Sequence, residues 1–155
     1  MAKKGGTEND VSERELVISR VLDAPVELVW KMFTEEAHIR NWWGPEGFTN
    51  TIAQMDVKPG GLWNFIMHGP DGTDYKNKSV FREIKTHERI VFAHVSGPKY
   101  LATITFTREG NRTDLQWHML FETVDQFEKV VKTFRADIGL KQNIDKLGNY
   151  LLVQQ

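Results

Sequence analysis

Between Leu62 and His68 the chain alternates: Trp63, Phe65 and Met67 fall on one face of an extended strand, and Leu62, Asn64, Ile66 and His68 on the other. Pro59-Gly60-Gly61 before it and Gly69-Pro70-Asp71-Gly72 after it interrupt any regular element. Proline fixes φ and glycine admits positive φ, so each reads as a hairpin connection. The face carrying Trp, Phe and Met is too bulky and apolar to leave in water. It demands a thick core or a pocket to fill.

The same reading extends along the chain. Residues 16–22 form a strand by β-branched content, Asp23 and Pro25 signal a helix start, and Val26, Val29, Trp30 and Phe33 recur at helical spacing. A second short helical run covers 35–42. Strands follow at 48–57, 62–68, 75–84, 90–95, 101–108 and, after the Gly110-Asn111 turn, 113–121. Their connections are too short for parallel crossovers, so the seven strands predict an antiparallel meander. In the last of them Leu115, Trp117, Met119 and Phe121 share one face, and Asp114, Gln116, His118 and Leu120 the other.

The C-terminal third is helical in two registers. Phe127, Val130, Val131, Phe134 and Ile138 form one stripe, and Leu140, Ile144, Leu147 and Leu151 form another, offset from it, with Gly139 at the change. This predicts a helix over 124–136, a break, and a terminal helix ending near 152. Residues 1–13 lack hydrophobic periodicity and read as a flexible tail, leaving 14–155 as a single domain. The fold class is α+β, with an amphipathic terminal helix set against a twisted antiparallel sheet. Where curvature holds the two layers apart, the space between them becomes an apolar cavity.

Composition removes several functions. Twenty basic and 21 acidic residues give a net charge of −1 with no basic stripe, which argues against nucleic acid as a partner. The polar N-terminus has no signal-peptide core and no segment is apolar enough for stable membrane insertion, so a cytoplasmic location is expected. Absence of cysteine excludes disulfides, thiolate catalysis and thiolate metal sites.

Candidate chemistry is sparse. His38, His68, His87, His94 and His118 show no i, i+4 pairing and no carboxylate completing a ligand pattern, so no metal site is expected. His94, inside the apolar run Val91-Phe92-Ala93-His94-Val95, reads as a buried, hydrogen-bonded histidine. No nucleophile elbow, phosphate loop or dinucleotide fingerprint occurs, so no cofactor and no catalytic residue is assigned. Asp56, Tyr75, Arg82 and Glu83 read as turn-fixing and edge-bonding residues.

Ligand-lining candidates come from the large apolar faces. Trp63, Phe65, Met67, Phe92, Trp117 and Met119 would wall a cavity, with methionine supplying adaptable surface. Ala102, Ile104 and Phe106 belong to the same face, with Ala102 leaving room, and Leu140, Ile144 and Leu147 face them from the terminal helix. The pattern alone is equally compatible with a solid core. Adjacent Trp42 and Trp43 would point about 100° apart on a helix. One is expected in the core, and the other either packs likewise or covers a cavity mouth or partner surface.

Several of these fragments resemble a known family in its own order. They are Asn41-Trp42-Trp43-Gly44-Pro45, the segment from Asp56 through Gly60-Gly61 and Trp63 to Met67, the Gly69-Pro70-Asp71-Gly72 turn with Tyr75, Glu83-Ile84 with Glu88-Arg89, and the terminal run Gly139 to Leu147. The family is that of bacterial domains named for their similarity to the activator of the heat-shock protein ninety ATPase. The resemblance implies a helix-grip fold of the START-related, birch-pollen-allergen-like superfamily: a seven-stranded antiparallel sheet around a long C-terminal helix, with two short helices after the first strand. It further implies a small apolar or amphipathic ligand between sheet and helix, with a chaperone as an alternative partner and cyclase- or hydrolase-like chemistry as a third reading. Ser79 stands where many members carry glycine, and His87 where proline is common; both are expected near strand ends.

Overall fold

The alternation at 62–68 is realised as a strand with the same bounds, Leu62–His68, flanked by the two expected turns. In chain order the elements are β1 (Glu15–Leu22), α1 (Val26–Thr34), α2 (Glu36–Ile39), β2 (Thr49–Met55), β3 (Leu62–His68), β4 (Asp74–Lys85), β5 (Arg89–His94), β6 (Tyr100–Glu109), β7 (Arg112–Phe121), α3 (Val124–Glu128) and α4 (Ala136–Leu152). This computed structural model describes residues 13–155; apart from Glu13, the tail expected over 1–13 lies outside them.

All seven strands form one antiparallel sheet in the order β1-β7-β6-β5-β4-β3-β2, a meander closed at one side by β1 pairing with β7. Register shifts at Ile52/Gln54 and Phe81/Glu83 mark bulges, which increase local twist. The second bulge turns Glu83 outward to pair with Arg89 through two bonds of 3.1 and 3.0 Å. One face of the sheet carries Trp63, Phe65, Phe81, Ile90, Phe92, Ala102, Ile104, Phe106, Leu115 and Trp117, all buried in a single hydrophobic cluster. On the opposite side of that cluster α4 contributes Leu140, Ile144, Leu147 and Leu151. This is the helix-grip arrangement of an α+β fold, with α1 and α2 covering one end through Val26, Val29, Trp30, Met32, Phe33 and Ile39.

Three local expectations are corrected. The break between the two C-terminal helical registers lies at Arg135, whose φ of 52° is left-handed, and not at Gly139. The first of these helices is α-helical only to Glu128 and continues as a π-helix over Lys129–Thr133. Wider π-turns rotate the later side chains, so the stripe ending in Phe134 and Ile138 loses its register with the core, and these two residues are exposed. Gly139 serves a different purpose: a Cβ there would sit 3.3 Å from Pro45 Cγ, so its bareness lets the α2–β2 loop approach α4.

Ser79 is the third correction. It lies in the middle of β4, fully buried on the concave face, where the expectation put it near a strand end. His87 does fall at a strand end, in the β4–β5 turn, with φ of 63°. Proline is locked near −65° and has no access to that conformation.

Candidate ligand site between the sheet and the C-terminal helix

Strand register builds the site. Trp63 pairs with Ser79, Ser79 with His94, His94 with Tyr100, and Tyr100 with Phe121, giving one row across β3, β4, β5, β6 and β7. Side chains alternate along each strand, so all five look toward the concave side with Phe65, Phe92 and Trp117. The row is therefore polar at its middle and aromatic at both ends.

His94 is buried and fully engaged. Its Nδ1 lies 2.7 Å from the Pro98 carbonyl and its Nε2 2.7 Å from Asn77 Oδ1, while the ring stacks on Tyr100 with centroids 4.7 Å apart. Burial holds the imidazole below its ordinary value, opposed in part by the hydrogen bond to Pro98. Burial likewise raises the Tyr100 hydroxyl above its ordinary 10.0. With both ring nitrogens committed, His94 has no free atom for acid–base work on a bound molecule.

Other polar groups inside the grip have no partner at all. Ser79 Oγ, Trp63 Nε1 and Asn143 Oδ1 are buried without a hydrogen bond, and all three residues are less than 10 % exposed. An unpaired buried polar group costs about 1–3 kcal/mol, so these three weigh against the packing around them.

The aromatic candidates converge. Trp43 lies past the end of α2, on the loop before β2, and its ring enters the interior from there. It stacks on Trp117 at 5.1 Å and 26°, meets Trp63 edge-on at 4.9 Å, and comes within 6.5 Å of Phe65 and 6.3 Å of Phe92. Trp42 turns the other way, donating from Nε1 to the Met32 carbonyl at 3.1 Å and packing its edge on Phe33. Both tryptophans are buried, so neither exposes its ring as a partner surface. Of the remaining candidates, Trp63, Phe65, Phe92, Ala102, Ile104, Phe106, Trp117, Leu140, Ile144 and Leu147 are buried, and Met67 and Met119 are half-buried at the margin. The recess beside Trp43, lined by Ile39, Arg40, Asn50, Ile52, Trp63 and Phe65, has no room for a water molecule.

The loop bearing Trp43 is tied down by polar contacts. Asn50 Nδ2 donates to the Trp43 carbonyl at 2.8 Å, Lys146 Nζ reaches the carbonyls of Pro45 and Phe48 at 3.2 Å each, and Glu46 N donates to Gln142 Oε1 at 3.3 Å. Half-burial lowers the Lys146 ammonium from its ordinary 10.5. An open groove of about 420 Å³ lies at the His94–Tyr100–Phe121 end of the row across the strands, with Ala93, Leu101 and Leu120 beside Arg14, Arg82 and Lys99.

Sequence reasoning anticipated the apolar side chains that the structure buries and missed the polar interior: Asn77, Ser79, Tyr100 and Asn143. The signal was present, since counting back by twos from Phe81 places Ser79, Asn77 and Tyr75 on its face, and Asn143 falls three residues after Leu140 and four before Leu147.

The geometry agrees with comparison to known proteins. The family model described as "Activator of Hsp90 ATPase homolog 1-like protein" matches residues 23–152. The chain belongs to this family. Solved structures with the same fold include a protein from Arthrobacter aurescens, 24% identical, with a TM-score of 0.85 over 93% of this chain and 89% of that one. Another, from Nitrosomonas europaea, is 23% identical with a TM-score of 0.81 over 92% and 97% of the two chains. The AHSA1 protein from Silicibacter pomeroyi is 19% identical, with a TM-score of 0.73 over 91% and 99%. At such identities the likeness speaks for the shared grip alone. No curated protein matches the chain. Among the described residues, no helix of this family member is long and apolar enough to cross a membrane, and no group of three or more His, Asp or Glu side chains is placed to hold a metal ion.

Proposed function

We propose that this protein binds a small apolar or amphipathic molecule between the concave sheet and α4, and that it does so in the cytoplasm as a carrier or sensor without chemistry of its own. The supporting observation is the pairing of a broad aromatic and methionine surface with buried, unpartnered Ser79 Oγ, Trp63 Nε1 and Asn143 Oδ1. A layer evolved only for packing gains nothing from orphaned polar atoms, whereas a bound molecule with matching groups repays them. Apolar burial would supply most of the affinity, at about 25 cal/mol per Å².

Native mass spectrometry of protein purified from its own host, with thermal-shift screening of lipid and aromatic libraries, tests the reading. A co-purifying mass or a stabilising compound is expected. Neither appearing across both libraries would remove it.

Family membership supports one competing proposal, action on a heat-shock ATPase. An unchanged ATPase rate of the host chaperone on adding this protein disposes of that reading.

A further inference from the structure

Trp43 differs in kind from the rings around it. Trp63, Phe65, Phe92 and Trp117 belong to sheet strands, fixed by ladder hydrogen bonds on both sides, whereas Trp43 hangs from the α2–β2 loop. Gly44 follows it directly with φ of 98°, and Gly47 has φ of 87°. These two positions allow backbone conformations that side-chain-bearing residues rarely adopt. Beyond the turn at Pro45–Phe48, the loop is held by the Trp43 N–H donating to the Ile39 carbonyl of α2 at 3.0 Å and by three side chains, Asn50, Lys146 and Gln142. Withdrawing Trp43 would break no strand pairing and no bond within α4.

Its ring fills the shape of the interior without satisfying its polarity. An indole offers one N–H donor and no acceptor. Trp63 Nε1 needs an acceptor and stays unpaired although Trp43 packs at 4.9 Å from that ring. Ser79 stands directly opposite Trp63 on β4, on the same face, and its hydroxyl is also unpaired. Cβ atoms of such pairs lie about 4.5–5.5 Å apart, so the two unpaired donors spring from neighbouring points of the same wall.

We propose that the pocket walled by Trp63, Phe65, Phe92 and Trp117 is the ligand site, with Trp43 as its resident stand-in. Its ligand is a flat apolar molecule of bicyclic size carrying one oxygen acceptor for Trp63 Nε1 and Ser79 Oγ. This rests on the ligand-binding reading above and names what that site takes. Binding moves Trp43 out and frees the loop at 43–48.

The test titrates the full chain, its Trp43→Ala variant and the double variant Trp43→Ala/Ser79→Gly with indane and 1-indanone, which share one bicyclic frame and differ by a carbonyl oxygen. In folded Trp43→Ala both probes raise the melting temperature and bind at least about tenfold more tightly than to the unaltered chain. The ratio of 1-indanone to indane affinity then drops about three- to tenfold in the double variant, the worth of one buried hydrogen bond. A folded Trp43→Ala that binds neither probe, or a ratio that Ser79→Gly leaves unchanged, overturns the inference. If Trp43→Ala does not fold, Lys146→Met carries the test, since it keeps Trp43 and releases its loop. Tighter 1-indanone binding than to the unaltered chain, with loss of amide-exchange protection at 43–48 on binding, is expected, and unchanged binding overturns the inference. A library compound that stabilises the unaltered chain while leaving exchange at 43–48 unaffected would sink this inference and keep the ligand-binding reading intact.

Discussion

The indole of Trp43 lies on the indole of Trp117 with centroids 5.1 Å apart and planes 26° from parallel, so a loop residue and a residue of β7 form the centre of the grip. Trp117 also meets Phe33 and Trp42 edge-on, at 5.8 and 6.5 Å. It therefore joins α1, the α2–β2 loop and the sheet. Replacing Trp117 by alanine should cost about 3–5 kcal/mol, measured by urea unfolding, because three layers lose their common neighbour. A loss below about 1 kcal/mol would show that these rings do not pack as described.

Ser79 offers a sharper contrast, since its hydroxyl is buried without a partner. Ser79→Ala keeps the Cβ, removes the orphaned group and should raise stability by about 1 kcal/mol while weakening ligand binding. Opposite signs for stability and binding are the signature of a group kept for recognition.

Lys146 pins the loop from α4 through the carbonyls of Pro45 and Phe48. Lys146→Met should cost about 1 kcal/mol and should speed amide exchange at 43–48 more than in the strands of the sheet. Uniform acceleration across the chain would mean that the ammonium stabilises the whole fold and not this loop.

Stability should respond to pH in two windows. Burial keeps His94 below its ordinary 6.5, so the unfolded chain takes up this proton first on acidification. Its contribution is present above about pH 6.5 and is lost as pH falls from there through the folded-state value. Glu27 is held below its ordinary 4.5, mainly by its hydrogen bond to Arg108, and Glu83 likewise by Arg89, so their contributions disappear only below that pH. A melting-temperature series from pH 8 to 3 should show the first decline flattened in His94→Phe and the second in Glu27→Gln.

Gly61 tests the turn before β3. A Cβ at this position would lie 1.9 Å from the Asp56 carbonyl oxygen, a backbone atom with nowhere to go. Gly61→Ala should therefore cost more than about 2 kcal/mol by urea unfolding. Full tolerance would contradict the tight 56–61 geometry.

Much of this architecture is legible in the sequence because alternation and turn chemistry are local. The faces of β3 and β7 follow from counting by twos, and the aromatic walls follow from those faces. The C-terminal break escaped because Arg135 adopts φ of 52° and the π-turns of Lys129–Thr133 shift the stripe, neither of which has a residue-type marker. Gly139 drew attention as a helix breaker, yet its role depends on Pro45, 94 positions away in sequence and visible only in three dimensions. Polar residues inside the grip escaped for a related reason: Ser79 and Asn143 look like solvent residues until strand register and helix packing turn them inward.

The most direct measurement is a methyl NMR titration of the full chain with a stabilising library compound. Shifts should concentrate on Met67, Met119, Leu140, Ile144 and Leu147, around the interface between sheet and α4. Shifts confined to Ala93, Leu101 and Leu120 in the outer groove, with the interior methyls unmoved, would contradict a ligand site inside the grip.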